Sequence, residues 1–176
     1  MLRRLCCCCE AAEVDTSLAI DVRRTHGSVL ASRHHAARAG QVVAEQSILQ
    51  DRAYWEVTVE EESHDTALAV GVASSAHELG RPLGDGKLSL SSELKQPLRP
   101  GDTIGIALNQ ADFPVTLRFY LNGVWCRELI GPSTESTPII QLSTDGSAVG
   151  VNFGATSFNQ QVPQGYSGLI RSRSII

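Results

Sequence analysis

Long apolar runs are missing from this chain: no stretch approaches the roughly 20 consecutive apolar residues that cross a bilayer as a helix. The N-terminus also lacks the apolar core of a secretory signal, so a protein made and kept in the cytoplasm is expected. Cysteine is scarce and badly placed for bridges. Of five cysteines, four are consecutive, Cys6 to Cys9, and the fifth is Cys126. No spaced framework of intrachain disulfides can be drawn from them, which agrees with a reducing compartment. A basic stripe is lacking too. Lys and Arg number 15 against 19 Asp and Glu, a net charge of -4, which leaves no electrostatic footprint for nucleic acid.

Motifs that carry chemistry are equally sparse. His26, His34, His35, His64 and His77 are scattered with no Ser or Cys nucleophile motif beside them and no HExxH helix, and they read as surface histidines. Glu60, Glu61 and Glu62 are adjacent at a strand end. Alternation turns neighbours to opposite faces, whereas sugar hydrolysis needs two carboxylates facing each other across about 5 to 9.5 Å. Gly80, Gly84 and Gly86 precede Lys87 without the Gly-Lys-Ser/Thr ending or the following helix of a phosphate loop. No catalytic residue, metal ligand or cofactor is expected, and the reading is that the protein is not an enzyme.

What is there is a succession of short strands. At 176 residues and 42% hydrophobic content the chain has material for one domain with one core. Residues 1–12 read as a disordered, cysteine-rich tail and 13–172 as the folded domain. Along 54–60 the sequence alternates, with Trp55, Val57 and Val59 on a core face and Tyr54, Glu56, Thr58 and Glu60 on a wet or half-buried one. Leu68, Val70 and Val72 mark a central strand, and Ile104, Ile106 and Leu108 a core strand after the Pro100-Gly101-Asp102 turn. Ser32 to Arg38 fits either a short helix or an ordered loop.

Asn122-Gly123 between Val115–Leu121 and Val124–Arg127 is the signature of a hairpin with a two-residue turn. That turn sets an expected register: Leu121 opposite Val124, Tyr120 opposite Trp125, Phe119 opposite Cys126, and Arg118 opposite Arg127. Phe119 and Cys126 would then share the buried side, Cys126 as a small packed thiol. A second strand pair is expected around Asp145-Gly146, joining 138–142 to 148–153. So many short strands punctuated by Gly, Pro, Asn and Asp argue for an all-β fold of two antiparallel sheets packed face to face. Pattern alone leaves an immunoglobulin-like sandwich, a jelly roll and other sandwiches open.

The ordered blocks YWEVTV (54 to 59), LAVGVAS (68 to 74), PGDTIGIALN (100 to 109), LRFYLNGVW (117 to 125) and TPIIQLSTDGSAVGVNFG (137 to 154) narrow the choice. Together they resemble the SPRY family over roughly residues 14 to 170. The resemblance implies a concanavalin-like SPRY β-sandwich whose loops bind a protein or peptide partner, with no chemistry of its own. No RING or B-box cysteine and histidine pattern and no coiled-coil heptads accompany it, so a ubiquitin-ligase activity is not carried by these residues.

Partner-binding candidates follow from the loops and the hairpin. Leu49–Arg52, Ser63–Thr66, Asp112–Pro114 and Gly131–Thr137 are the expected recognition loops, with Arg52, Asp112 and Phe113 in them. Arg118 opposite Arg127, beside Tyr120 and Trp125, is a second candidate, because like charges across a pair repel unless an acid is near. Glu56, Glu60 or Glu128 could neutralise them, or an acidic peptide could dock there. Lectin-like sugar binding on the same sandwich is the alternative function. Finally, Cys6, Cys7, Cys8 and Cys9 beside Leu2, Leu5, Arg3 and Arg4 fit S-acylation and peripheral contact with the cytoplasmic face of a membrane. Four adjacent thiols suit a zinc tetrahedron poorly, and Leu2 excludes myristoylation.

Overall fold

Alternation builds the core. Trp55, Val57, Ile104, Ile106, Leu108, Leu117 and Phe119 are each at most 1% exposed and lie in one continuous cluster. Each such side chain contributes about 1.5–3 kcal/mol by leaving water. A computed structural model describes residues 19–61, 68–83, 89–94, 98–131 and 135–171. Their strands are β1 Ile20–Gly27, β2 Leu30–Ser32, β3 His35–Ala37, β4 Gly40–Ala44, β5 Arg52–Glu61, β6 Leu68–Ala73, β7 Ser89–Leu94, β8 Thr103–Asn109, β9 Val115–Leu121, β10 Val124–Gly131, β11 Thr137–Leu142 and β12 Ala148–Asn152.

They form a five-stranded sheet, β1-β4-β11-β6-β7, and a seven-stranded sheet, β10-β9-β8-β5-β12-β3-β2. Every ladder between them is antiparallel. The fold is thus the all-β, two-sheet sandwich that the sequence implies. The tail of residues 1–12 with Cys6 to Cys9, and the Ser63–Thr66 loop, lie outside the described residues.

Four local expectations are corrected. Ser32 to Arg38 makes neither a helix nor a loop but the end of β2, a turn and β3. The strands flanking Asp145-Gly146 do not pair: β11 lies between β4 and β6 in one sheet, β12 between β5 and β3 in the other. Residues 143–147 therefore cross between sheets, which lets the apolar side chains of both strands find cover. His77, read as a surface histidine, is buried at 6% exposure.

The fourth correction concerns the hairpin. Asn122 at φ 49° and Gly123 at φ 81° make the expected turn, since both central positions need positive φ. Leu121 pairs with Val124 and Tyr120 with Trp125 as expected. Beyond that a β-bulge intervenes, so Phe119 pairs with Arg127 and Arg118 with Glu128. Cys126 is the extra residue, exposed to solvent rather than packed on Phe119. The bulge removes the Arg118–Arg127 apposition and gives Arg118 a carboxylate instead.

Chain covers part of the outer face of each sheet. Against the five-stranded sheet, Leu79 and Leu83 pack on Val43, Ala73 and Ile139. Buried Gln41 fastens that loop by donating to the Arg81 carbonyl (2.8 Å) and accepting from the Gly80 N–H (2.7 Å). Over the seven-stranded sheet, residues 158–160 lie on Tyr54, Glu56 and Gly105. A Cβ on Gly105 would come within 2.3 Å of the Tyr54 hydroxyl, so only glycine fits beneath this cover.

Candidate protein-docking face

β9 and β10 present Arg118, Tyr120, Trp125 and Glu128 on the outer face of the seven-stranded sheet, because their partners in the bulged ladder alternate with the core residues Leu117 and Phe119. Trp125 is 60% exposed, far above what packing alone would leave, and Ile130, opposite Thr116, is 63% exposed. The Arg118 guanidinium forms an ion pair with Glu128, and this hydrogen bond raises its pKa above the usual value. Of the acids expected to neutralise these arginines within the sheet, Glu128 does so for Arg118. Arg127 pairs with Phe119, not with Arg118, so it does not join this group.

Tyr166, which no sequence pattern selects, sits among the candidates. Burial raises its phenol pKa, while Arg118 pulls it the other way, and Tyr120, Arg52 and Glu128 also act on it. Gly165 approaches the Arg52 side chain, where an added Cβ would meet Nη1 at 3.4 Å. Arg52 in turn pairs with Asp112 at 3.6 Å. A continuous band thus runs from Arg52 and Asp112, through Tyr166, to Arg118, Tyr120 and Trp125. The C-terminal segment that brings Tyr166 here has no local sequence signal; only its docking on β5 places it.

Arg52 and Asp112 begin the loop end of the sandwich, where the β4–β5 and β8–β9 connections meet. Phe113 projects there at 83% exposure. An open groove of about 410 Å³ is lined by Arg24, Glu45, Ser47, Leu49, Glu135 and Thr137. Ser47 donates to Glu135 at 2.8 Å. Among the described residues, no group of three or more His, Cys, Asp or Glu side chains could hold a metal ion.

Solved structures share this architecture. A human SPRY domain superposes with TM-score 0.59 at 19% identity, covering 75% of this chain and 98% of its own. The SPRY domain of human HERC1 gives 0.55 at 18% identity, covering 76% and 96%, and the TRIM65 PSpry domain 0.57 at 16%, covering 77% and 91%. No family model matches the sequence, and no curated protein does. The chain has the SPRY-type β-sandwich fold.

Proposed function

We propose that this protein is a non-catalytic interaction module of the SPRY family that recognises a protein or peptide on the band from Arg52 to Trp125. Trp125 carries the reading: a tryptophan left 60% exposed on a sheet face, beside Tyr120 and an internally neutralised Arg118–Glu128 pair, is the composition of an interface anchor. Because Arg118 and Arg52 already hold carboxylates, the band favours an apolar or aromatic segment over an acidic peptide. Within the family, the cysteine-rich N-terminus, the Leu79-Gly80 and Leu83-Gly84-Asp85 turns and the Pro163-Gln164-Gly165-Tyr166 close resemble SPRY domain-containing protein seven. S-acylation of Cys6 to Cys9 would hold the module on the cytoplasmic face of a membrane.

Proximity labelling of the intact protein beside Trp125→Ser and Cys6 to Cys9→Ser tests the reading. Anchor residues contribute about 2 kcal/mol or more, roughly a 30-fold change in affinity, so Trp125→Ser should lose its partners. An unchanged partner set would overturn it. The exposed tryptophan beside a carboxylate also favours a second reading, sugar stacking on the same face, which a glycan array resolves by binding that Trp125→Ser abolishes.

A further inference from the structure

Three large apolar side chains stand exposed at the loop end: Leu49 at 71%, Phe113 at 83% and Ile170 at 61%. They belong to three segments that two glutamines stitch together. Gln110 Nε2 donates to the carbonyls of Ile48 (3.0 Å) and Gln50 (2.7 Å), and its backbone N–H to Asp51 (2.8 Å). Gln50 Nε2 donates to the Gly168 carbonyl at 2.9 Å, and its Oε1 accepts from the Ile170 N–H at 2.8 Å. The loops are therefore held in place while their apolar side chains face water, which marks a contact surface. Beside them Arg52 is matched with Asp112, and Arg171 with Glu45.

Where the chain leaves the fold indicates what that surface meets. The Ala19 carbonyl accepts from the Glu45 N–H at 2.9 Å, and Glu45 Oε1 accepts from Arg171 Nε at 2.7 Å, so the described chain begins at the loop end. Nine residues separate Cys9 from Ala19. Even fully extended, that stretch reaches about 35 Å. A lipid-anchored cysteine cluster would hold the loop end, where Leu49, Phe113 and Ile170 stand, within about 35 Å of the bilayer.

We propose that the loop end is a membrane-contacting surface on which Leu49, Phe113 and Ile170 enter the interfacial layer of a lipid bilayer. This rests on the tethering reading above. One acyl chain gives only marginal, reversible attachment, and stable residence needs a second signal. The three side chains supply a non-covalent one and fix the orientation of the sandwich. Phe113 then serves lipid contact, while the band of Tyr120, Trp125 and Tyr166 runs up the side of the sandwich and stays open to a partner.

The test couples the full chain, carrying Cys126→Ser, through its tail thiols to phosphatidylcholine vesicles containing a small fraction of maleimide lipid. Amide hydrogen exchange is then compared for coupled and free protein. Slower exchange is expected at 48–51, 110–113 and 168–171, with no change at 122–126. The combined variant Leu49→Ser, Phe113→Ser, Ile170→Ser should abolish that protection while the sheets exchange as before. Equal exchange with and without vesicles, protection centred on Val124, or protection that survives the combined variant would overturn the proposal. The chemical tether makes this result independent of acylation in cells, which hydroxylamine-labile labelling of the tail tests separately.

Discussion

The Tyr54 hydroxyl donates to Glu56 Oε1 at 3.1 Å, two residues along the same strand, and both side chains are 1% exposed. Period-two alternation puts the pair on the outer face of the seven-stranded sheet. They are dry because the backbone N–H groups of Asn159 and Gln160 each donate to the Glu56 carboxyl at 2.8 Å, and Phe158 packs edge-on against Tyr54 with ring centroids 5.0 Å apart. Burial, followed by the nearby Glu56 charge, pushes the Tyr54 phenol far above its usual range. One carboxyl therefore fastens the C-terminal segment, and with it Tyr166, to the docking face.

Glu56→Ala should leave the part-buried N–H groups of Asn159 and Gln160 without their acceptor, and the Tyr54 hydroxyl with only Gln160 Oε1 at 3.4 Å. An unsatisfied buried group costs about 1–3 kcal/mol, so a loss of about 3 kcal/mol or more is expected in urea unfolding. Glu56→Gln keeps one acceptor oxygen and should lose less. An alanine variant as stable as the native protein would show that residues 158–160 are not held by this carboxyl.

Cys126 should react in the folded state. With Cys6 to Cys9 replaced by serine, a thiol reagent should modify the remaining cysteine without denaturant, because the bulge turns it into solvent. A thiol that reacts only after unfolding would mean the ladder runs without a bulge and Cys126 lies on Phe119.

Acid should weaken the end of the sandwich that carries the hairpin turn. Asp102 accepts the Arg99 backbone N–H at 2.7 Å and the Asn122 amide at 2.9 Å, and these bonds, in that order, lower its pKa below the usual 3.8. A carboxyl whose folded pKa is depressed stabilises the fold above its unfolded pKa and loses that contribution as pH falls through the folded value. Stability measured from pH 6 downward should therefore fall in the range below 3.8, and Asp102→Asn should flatten that part of the profile. Identical profiles for the two proteins would remove Asp102 from the account.

The sequence by itself determined whatever depends on neighbours along the chain. Asn122-Gly123 dictated a turn because few other pairs tolerate two positive φ angles, and alternation placed Trp55, Ile106 and Phe119 in the core because side chains on a strand repeat every two residues. The turn likewise set Leu121 opposite Val124 and Tyr120 opposite Trp125. Only the tertiary structure decided the rest. The bulge at Cys126 is settled across the ladder, where pairing Arg118 with Glu128 replaces an apposition of two arginines. That β11 and β12 part into different sheets depends on which distant strands flank them, a choice that two adjacent strands cannot encode. Tyr54 and Glu56 alternate like any half-wet face, and they are buried because a segment about 100 residues away brings two N–H groups to one carboxyl. Long-range contacts of this kind leave no periodic trace, since their partners meet only after the sheets have formed.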